Sequence, residues 1–380
     1  IYYISRHSCR INFYTINEYS LTQKGVIMKK ELLVASALVS SLGMAGVAQA
    51  VTSSFSGHTK VGVVGKDLDS TSTNTRAGDQ QSTFSVSLSE TTDGGIKIST
   101  GFDLAEEGGG LDSNGITLTF TDGSKLDLIE AGTATGSHVA TVPGAGGEMG
   151  ISATTTNNAP GATTLAASSN AVGLEWHTAA DAFGVEGLKA SISYASNDTA
   201  LVTTTAQTAS IETTYSAGVT YVTDAGDTKV TIAGGFVNAS NNNSATSVEN
   251  EGVQVGLSAV TGDLTVGVGF GSGNFVTTPT AGGDLVQVDG EYTTAGAKYV
   301  SGDITFAVGM SSADGKDEAY GVASTSKSDT RDTQSASIAY AVASGVTATL
   351  GYTDVDDVNE GTASTNTSGS SWYVGATVSF

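Results

Sequence analysis

The sequence holds little of what most enzyme chemistry is built from. Among 380 residues there is a single cysteine, Cys9, which excludes a disulfide scaffold and a thiolate zinc site. Four histidines leave little material for metal or acid–base chemistry. Basic residues are scarce as well: 16 Lys and Arg stand against 38 Asp and Glu, a formal charge of −22. So acidic a chain repels a polyphosphate, and no nucleic acid is expected as a partner. Hydrophobic residues make up 39%, low for a globular enzyme yet too many for a disordered chain. Beyond residue 50 no stretch approaches 18 unbroken apolar residues, so no membrane-spanning helix is expected there. What abounds instead is glycine, 49 residues, with serine and threonine: the composition of an all-β protein with little catalytic equipment.

The first 50 residues read unlike the rest. Residues 1–27 hold the only cysteine and read as an upstream extension, with Met28 as the true start. Met28-Lys29-Lys30 opens a basic segment, an apolar stretch runs from Leu32 to Val47, and Ala48-Gln49-Ala50 is a small-x-small cleavage site. Together, residues 28–50 read as a secretory signal peptide. Five basic and two acidic residues leave with 1–50, so 11 basic and 36 acidic remain on 51–380, a net −25.

From there to the end, apolar residues alternate with small polar ones. Phe84, Val86 and Leu88 interleave with serines. Leu264, Val266, Val268 and Phe270 interleave with Thr265 and glycines, and Trp372, Val374, Ala376, Val378 and Phe380 close the chain. Counting such sets gives about sixteen strands of about ten residues. Tight turns such as Thr121-Asp122-Gly123, Thr261-Gly262-Asp263 and Ser301-Gly302-Asp303 alternate with long polar stretches at 66–79, 105–113, 131–169, 197–209, 238–250, 271–289, 311–332 and 354–369. A β-sandwich has no reason to keep that alternation, because both of its ends meet the same solvent. A barrel inserted into a membrane from one side does. A lumen enclosed by sixteen strands is too wide for side chains to fill, so the apolar face is expected outward in lipid and the polar face inward in water. The expected fold is therefore an all-β, transmembrane, antiparallel β-barrel over 51–380.

The leader, the short/long rhythm and the terminal Ser371-Trp372-Tyr373-Val374-Gly375-Ala376-Thr377-Val378-Ser379-Phe380 resemble the Gram-negative general diffusion porins. The resemblance implies a sixteen-stranded barrel integral to the outer membrane, a homotrimer, and passive diffusion of small hydrophilic solutes and ions. It also implies that the terminal strand, through Trp372, Val374 and Phe380, is the signal read by the barrel-assembly machinery. The stretch 131–169, 39 residues long, falls where the family folds a loop into the lumen. Porin eyelets usually set acids on that loop against arginines on the wall. Here the loop offers Glu148, with Glu130 at its root, and 51–380 has only Arg76 and Arg331. A secreted or surface-layer β-rich adhesin is the alternative, since it too would be acidic, Gly/Thr-rich and free of enzyme motifs.

Strand parity places His58, Lys60, Lys97, Lys125, Asp127, Glu130, Glu175, Lys189, Glu212, Lys229 and Lys298 on or beside the lumen face, with Glu148 on the loop. Lys97, Lys125, Lys189, Lys229 and Lys298 are expected near the periplasmic mouth. His58 and Lys60 are expected near mid-wall, and most carboxylates near the outer mouth. Glu175 and His177 read as an ordinary wetted pair, and no triad or metal cluster is expected. Asp354, Asp356 and Asp357 form an acidic outer loop that offers oxygen ligands to calcium, as do Asp314, Asp317 and Glu318, but neither group has the spacing of a helix–loop–helix calcium site. No other cofactor is expected.

Overall fold

A computed structural model describes residues 51–68, 75–105, 111–128, 133–145, 172–196, 211–243, 246–277, 286–319, 327–359 and 367–380. The expected extension and signal peptide, 1–50, lie outside the described residues, as do Glu130 and Glu148. Sixteen strands follow one another: β1 (Thr52–Leu68), β2 (Thr75–Thr91), β3 (Lys97–Ala105), β4 (Leu111–Thr119), β5 (Lys125–Leu128), β6 (Val172–His177), β7 (Leu188–Ser196), β8 (Ile211–Ala225), β9 (Thr228–Asn243), β10 (Thr246–Thr261), β11 (Leu264–Thr277), β12 (Val286–Ser301), β13 (Ile304–Ala319), β14 (Lys327–Ala343), β15 (Val346–Asn359) and β16 (Thr367–Ser379). Each pairs with its sequence neighbours, and β1 pairs with β16 to close the barrel. Closure leaves no open edge, which a sheet in hydrocarbon requires.

The two faces of the wall are opposite in chemistry, and the register shows why the alternation is there. Val255 faces Phe270 across β10–β11, Val268 faces Ala295 across β11–β12, and Ala295 faces Met310 across β12–β13. This band is exposed: Val255 is 53% accessible, Val308 53% and Met310 62%. Their strand neighbours of the other parity, including Gln254, Ser258, Thr349 and Thr353, are buried. A water-soluble protein hides the first set and shows the second. Apolar surface of this extent is stable only against lipid, where each Å² kept from water is worth about 25 cal/mol.

At one end the hairpins are tight. Gly262 (φ 54°) and Gly123 (φ 87°) supply backbone conformations that a side chain would strain. In the second turn the Asp122 carboxylate accepts from the Ser124 N–H (2.9 Å) and hydroxyl (2.7 Å), and these bonds hold its carboxyl below the usual range. At the other end the strands outrun expectation. Stretches 238–250 and 311–332, expected as loops, are largely strand, with β9 reaching Asn243 and β13 reaching Ala319. Above the lipid both faces are wet, so the ladder continues on backbone hydrogen bonds without any apolar pattern. For the same reason Asp354, Asp356 and Asp357 sit on β15 rather than on a loop. Strand alternation then sets exposed Asp354 and Asp356 on the outward face and turns buried Asp357 inward, opposite Arg331. Asp314, Asp317 and Glu318 likewise belong to β13.

The seam between β1 and β16 is built from aromatic rings over glycines. Gly57 and Phe380 exchange two backbone hydrogen bonds of 3.0 Å, and a Cβ on Gly57 would meet the Phe380 ring at 2.7 Å. Gly65 stands directly opposite Trp372, whose indole fills the space a side chain would take. On the inner face Tyr373, fully buried, covers Gly62 and packs with Val64; this is the buried apolar cluster among the described residues.

Candidate permeation pathway

Between β5 and β6 the chain turns into the barrel. Thr133 caps a single helical turn, α1 (Ala134–Ser137), by accepting from the Gly136 N–H at 3.1 Å. Residues 138–145 then run across the inner wall, crossing strand after strand. The attachments are small and polar. The Ala134 N–H donates to Ser193 Oγ (3.0 Å), Thr135 Oγ1 donates to the Phe236 carbonyl (2.6 Å), and Gln254 Nε2 donates to the Thr135 carbonyl (2.6 Å). At the far end the Ala145 N–H reaches Ser335 Oγ on β14 at 3.4 Å.

Glycines on the wall make room for this backbone. A Cβ on Gly235 would lie 3.1 Å from Thr135 Cα, one on Gly256 2.8 Å from Ala140 Cβ, and one on Gly309 2.9 Å from Gly144 Cα. Gly267 and Gly296 are tighter still: a side-chain carbon there would collide with the carbonyl oxygens of Thr141 and Pro143. Gly218, Gly235, Gly256, Gly267, Gly296 and Gly309 thus form a track on β8–β13 along which the segment lies. Its own residues alternate. His138, Ala140 and Pro143 are buried, whereas Val139 and Thr141 are exposed.

His138 anchors the near end through a line of hydrogen bonds that sequence reading missed. Its Nδ1 lies 2.7 Å from Thr220 Oγ1 and its Nε2 2.8 Å from Ser191 Oγ. Ser191 Oγ is 2.8 Å from His177 Nδ1, and His177 Nε2 is 2.9 Å from Asp127 Oδ2. The Thr117 hydroxyl donates to the other Asp127 oxygen at 2.5 Å. An ionised carboxylate only accepts, so the Asp127 end fixes the proton of His177 on Nε2. With His177 neutral, Ser191 donates to its Nδ1 and accepts from His138 Nε2–H, while Thr220 donates to His138 Nδ1. Burial lowers the His138 pKa, with repulsion from His177 and Lys189 adding to it.

Glu175 sits beside this line and is not a wetted residue. It stands directly opposite Asp127 across β5–β6 and is 2% exposed, because α1 lies over it. The Ser137 hydroxyl donates to its carboxylate, whereas Oε1 has no hydrogen-bond partner and faces His177 Nδ1 at 3.7 Å. The grouping had no signal in the sequence, since the register of β5 on β6 depends on how the intervening 43 residues fold back. Ser191, His177 and Asp127 follow the order of a hydrolytic triad. Ser191 is 2% exposed and wedged between two imidazoles, however, which leaves no space for a substrate carbonyl.

The other sequence-derived residues fall as follows. Lys97, Lys125, Lys189, Lys229 and Lys298 are exposed on the inward parity of β3, β5, β7, β9 and β12, each within a few residues of a tight turn. His58 and Lys60 share that parity on β1 but stand opposite Ser379 and Thr377, at the end of β16 rather than mid-wall of it. Glu212 lies in β8 at a register irregularity between Ile211 and Thr213, and its side chain lies outside the described residues. Trp372 and Val374 face outward from β16, and Phe380 ends the seam.

Comparisons with known proteins agree with this geometry. Solved structures of similar fold include an anion-selective porin from Comamonas acidovorans, at 14% identity and a TM-score of 0.57, over 87% of this chain and 100% of that one. In-vitro folded OmpT of Vibrio cholerae matches at 13% identity and a TM-score of 0.57, over 88% of this chain and 98% of that one. A mutant of the Rh. blastica porin matches at 14% identity and 0.54, over 87% and 100%. No curated protein sequence matches. The adhesin alternative leaves a closed barrel girdled with exposed apolar side chains unexplained. The Gram-negative porin family matches residues 34–360, and the chain therefore belongs to that family: it is an integral β-barrel of the bacterial outer membrane and a passive diffusion channel for small hydrophilic solutes and ions.

Proposed function

We propose that solutes cross between the Thr133–Ala145 segment and the wall it leaves uncovered, formed by β15, β16 and β1–β4 with the ends of β5 and β6. The observation that carries this reading is the segment's course over the glycine track, which takes up the lumen beside half of the wall. The rim it offers to the bore is uncharged at Val139 and Thr141, while Lys60 and Lys97 lie on the inward parity of the uncovered wall. Charge then acts along the axis. The five turn-end lysines form a basic inner ring, and the carboxylates of the extended strands crowd the opposite mouth. A protein similar in fold is named as anion-selective, and the basic ring supports the same preference here at the inner mouth. Three copies assemble as a homotrimer, the form named for one OmpT structure. The chain carries out no covalent chemistry, and its terminal strand, with Trp372, Val374 and Phe380, is read by the barrel-assembly machinery.

The test is planar-bilayer conductance of a variant shortened between Thr133 and Ser168. Higher single-channel conductance in a barrel that still shows heat-dependent gel mobility supports the reading. Unchanged conductance in the same folded variant overturns it.

A further inference from the structure

Glu175 Oε1 is buried and carries no hydrogen bond. With a His177 proton held on Nε2 by Asp127, Nδ1 of the neutral ring accepts the Ser191 proton and lies 3.7 Å from Oε1. A buried carboxylate oxygen that no donor reaches is costly unless a positive charge lies beside it. The Ser191 hydroxyl offers its one proton to Nδ1 and none to Glu175. We infer that this gap on the lumen wall, between β6 and the in-folded segment, is a binding site for a divalent first-row transition ion such as Zn²⁺.

The geometry suits the ion. Bonds of about 2.0–2.2 Å to an imidazole nitrogen and a carboxylate oxygen 3.7 Å apart open an angle of about 115–135°, within reach of zinc coordination. Asp127 then has the part that a carboxylate takes behind a metal-bound imidazole: it accepts Nε2–H at 2.9 Å, fixing ring and tautomer. Ligand atoms of Asp127, Glu175 and His177 all lie within 4.8 Å of one another, so the second Asp127 oxygen is close at hand. Ser191, already beside Nδ1, keeps a lone pair for the ion once its proton turns away. Charge balances too: two carboxylates and a neutral imidazole carry −2, which one such ion cancels. The set of one nitrogen and several oxygens favours zinc-like ions over magnesium or calcium, which take oxygen alone. Access runs through the lumen, since the side chains of Asp127 and His177 are 29% and 22% exposed. Lys125, opposite His177 in the ladder, is a cation beside the site and is itself exposed.

The site's existence does not depend on how the segment affects conduction, and binding is read on its own. Untagged, chelator-stripped barrel in detergent is titrated with Zn²⁺ by calorimetry in excess Mg²⁺, which occupies the acidic surface. The expected result is one Zn²⁺ per chain, weakening as pH falls because a proton competes for Nδ1. Glu175→Gln and His177→Gln should each lose at least about 100-fold in affinity, and Asp127→Asn about 10–100-fold, the usual effect of a group behind the ligand. Zinc-edge absorption of the wild-type protein should show an imidazole nitrogen, which keeps the test open if a variant misfolds. No saturable Zn²⁺ above the Mg²⁺ background, binding unchanged in both ligand variants, or an all-oxygen shell would each overturn the assignment. The first of these outcomes would leave Glu175 as a buried neutral acid.

Discussion

Glycine does two different jobs on the two sides of this barrel. At the β16–β1 seam Gly57, Gly62 and Gly65 are the floor beneath three rings, those of Phe380, Tyr373 and Trp372. From β8 to β13 the same residue type admits a backbone, that of residues 134–144. Rings over glycine recover packing that a bare strand lacks and pin the pairing register. Backbone over glycine instead buys no packing for the strand; it sets how far the lumen is filled. The same substitution should therefore register as lost assembly on one side and as a changed bore on the other.

The sharpest break falls at the seam. Phe380→Ser removes the ring over Gly57 at the last rung of closure, and it should abolish assembly while leaving export intact. Immunoblots of membrane and soluble periplasmic fractions check this, and normal outer-membrane levels would count heavily against the role assigned to the terminal strand. Next comes a matched pair, Gly62→Leu and Gly296→Leu. Each overpacks a contact and should cost about 1–3 kcal/mol in a folding titration. Gly62→Leu should leave single-channel conductance near wild type, whereas Gly296→Leu should lower it by pushing Pro143 off β12 into the bore. Equal conductances in the pair would erase the distinction between the two sides.

Smaller effects come from protons and salt. Free of the wall, the His138 ring titrates near its ordinary value of about 6.5, and seated it titrates lower. The unseated segment thus binds more protons in between. Seating is fully favoured above about pH 6.5 and is lost as pH falls through the lowered value. Acidification should lower conductance as the released segment leaves the wall for the bore, and His138→Gln should flatten that response. The least change is expected from neutralising Lys97, Lys125 and Lys229 together. Reversal potentials at low ionic strength should shift toward cations by a few millivolts to tens of millivolts, because screening over about 10 Å at 0.1 M salt blunts a ring spread over several strands. Measured with the gradient in each direction, the shift should be unequal; equal shifts would remove the axial asymmetry.

Sequence alone carried the strand faces, because alternation with period two is a local property of residues such as Leu264, Val266 and Val268. The turn end was equally legible in its Asp-Gly and Gly-Asp pairs. Strand lengths at the other end were not, since a ladder in water on both faces leaves no mark in polarity: Asn241–Asn243 look like loop and pair like strand. The buried grouping at Asp127, Glu175, His177, Ser191 and His138 was illegible for another reason. Its members come from three strands and the in-folded segment, and only the register of β5 on β6 brings Asp127 opposite Glu175. Parity put four of them on one face. It could not say which would meet, nor that a stretch as plain as Thr133-Ala-Thr-Gly-Ser-His138 would lie over Glu175.

The in-folded segment is fastened by Thr135, His138, its backbone and the wall's glycines, while Val139 and Thr141 turn to the open side. Anchorage and solute contact are thus written in different letters of the same short stretch. An aspartate or arginine placed at 139 or 141 would recharge the segment's exposed rim without loosening its moorings. The pore's preference can drift, or be redesigned, one exposed side chain at a time on an unchanged frame.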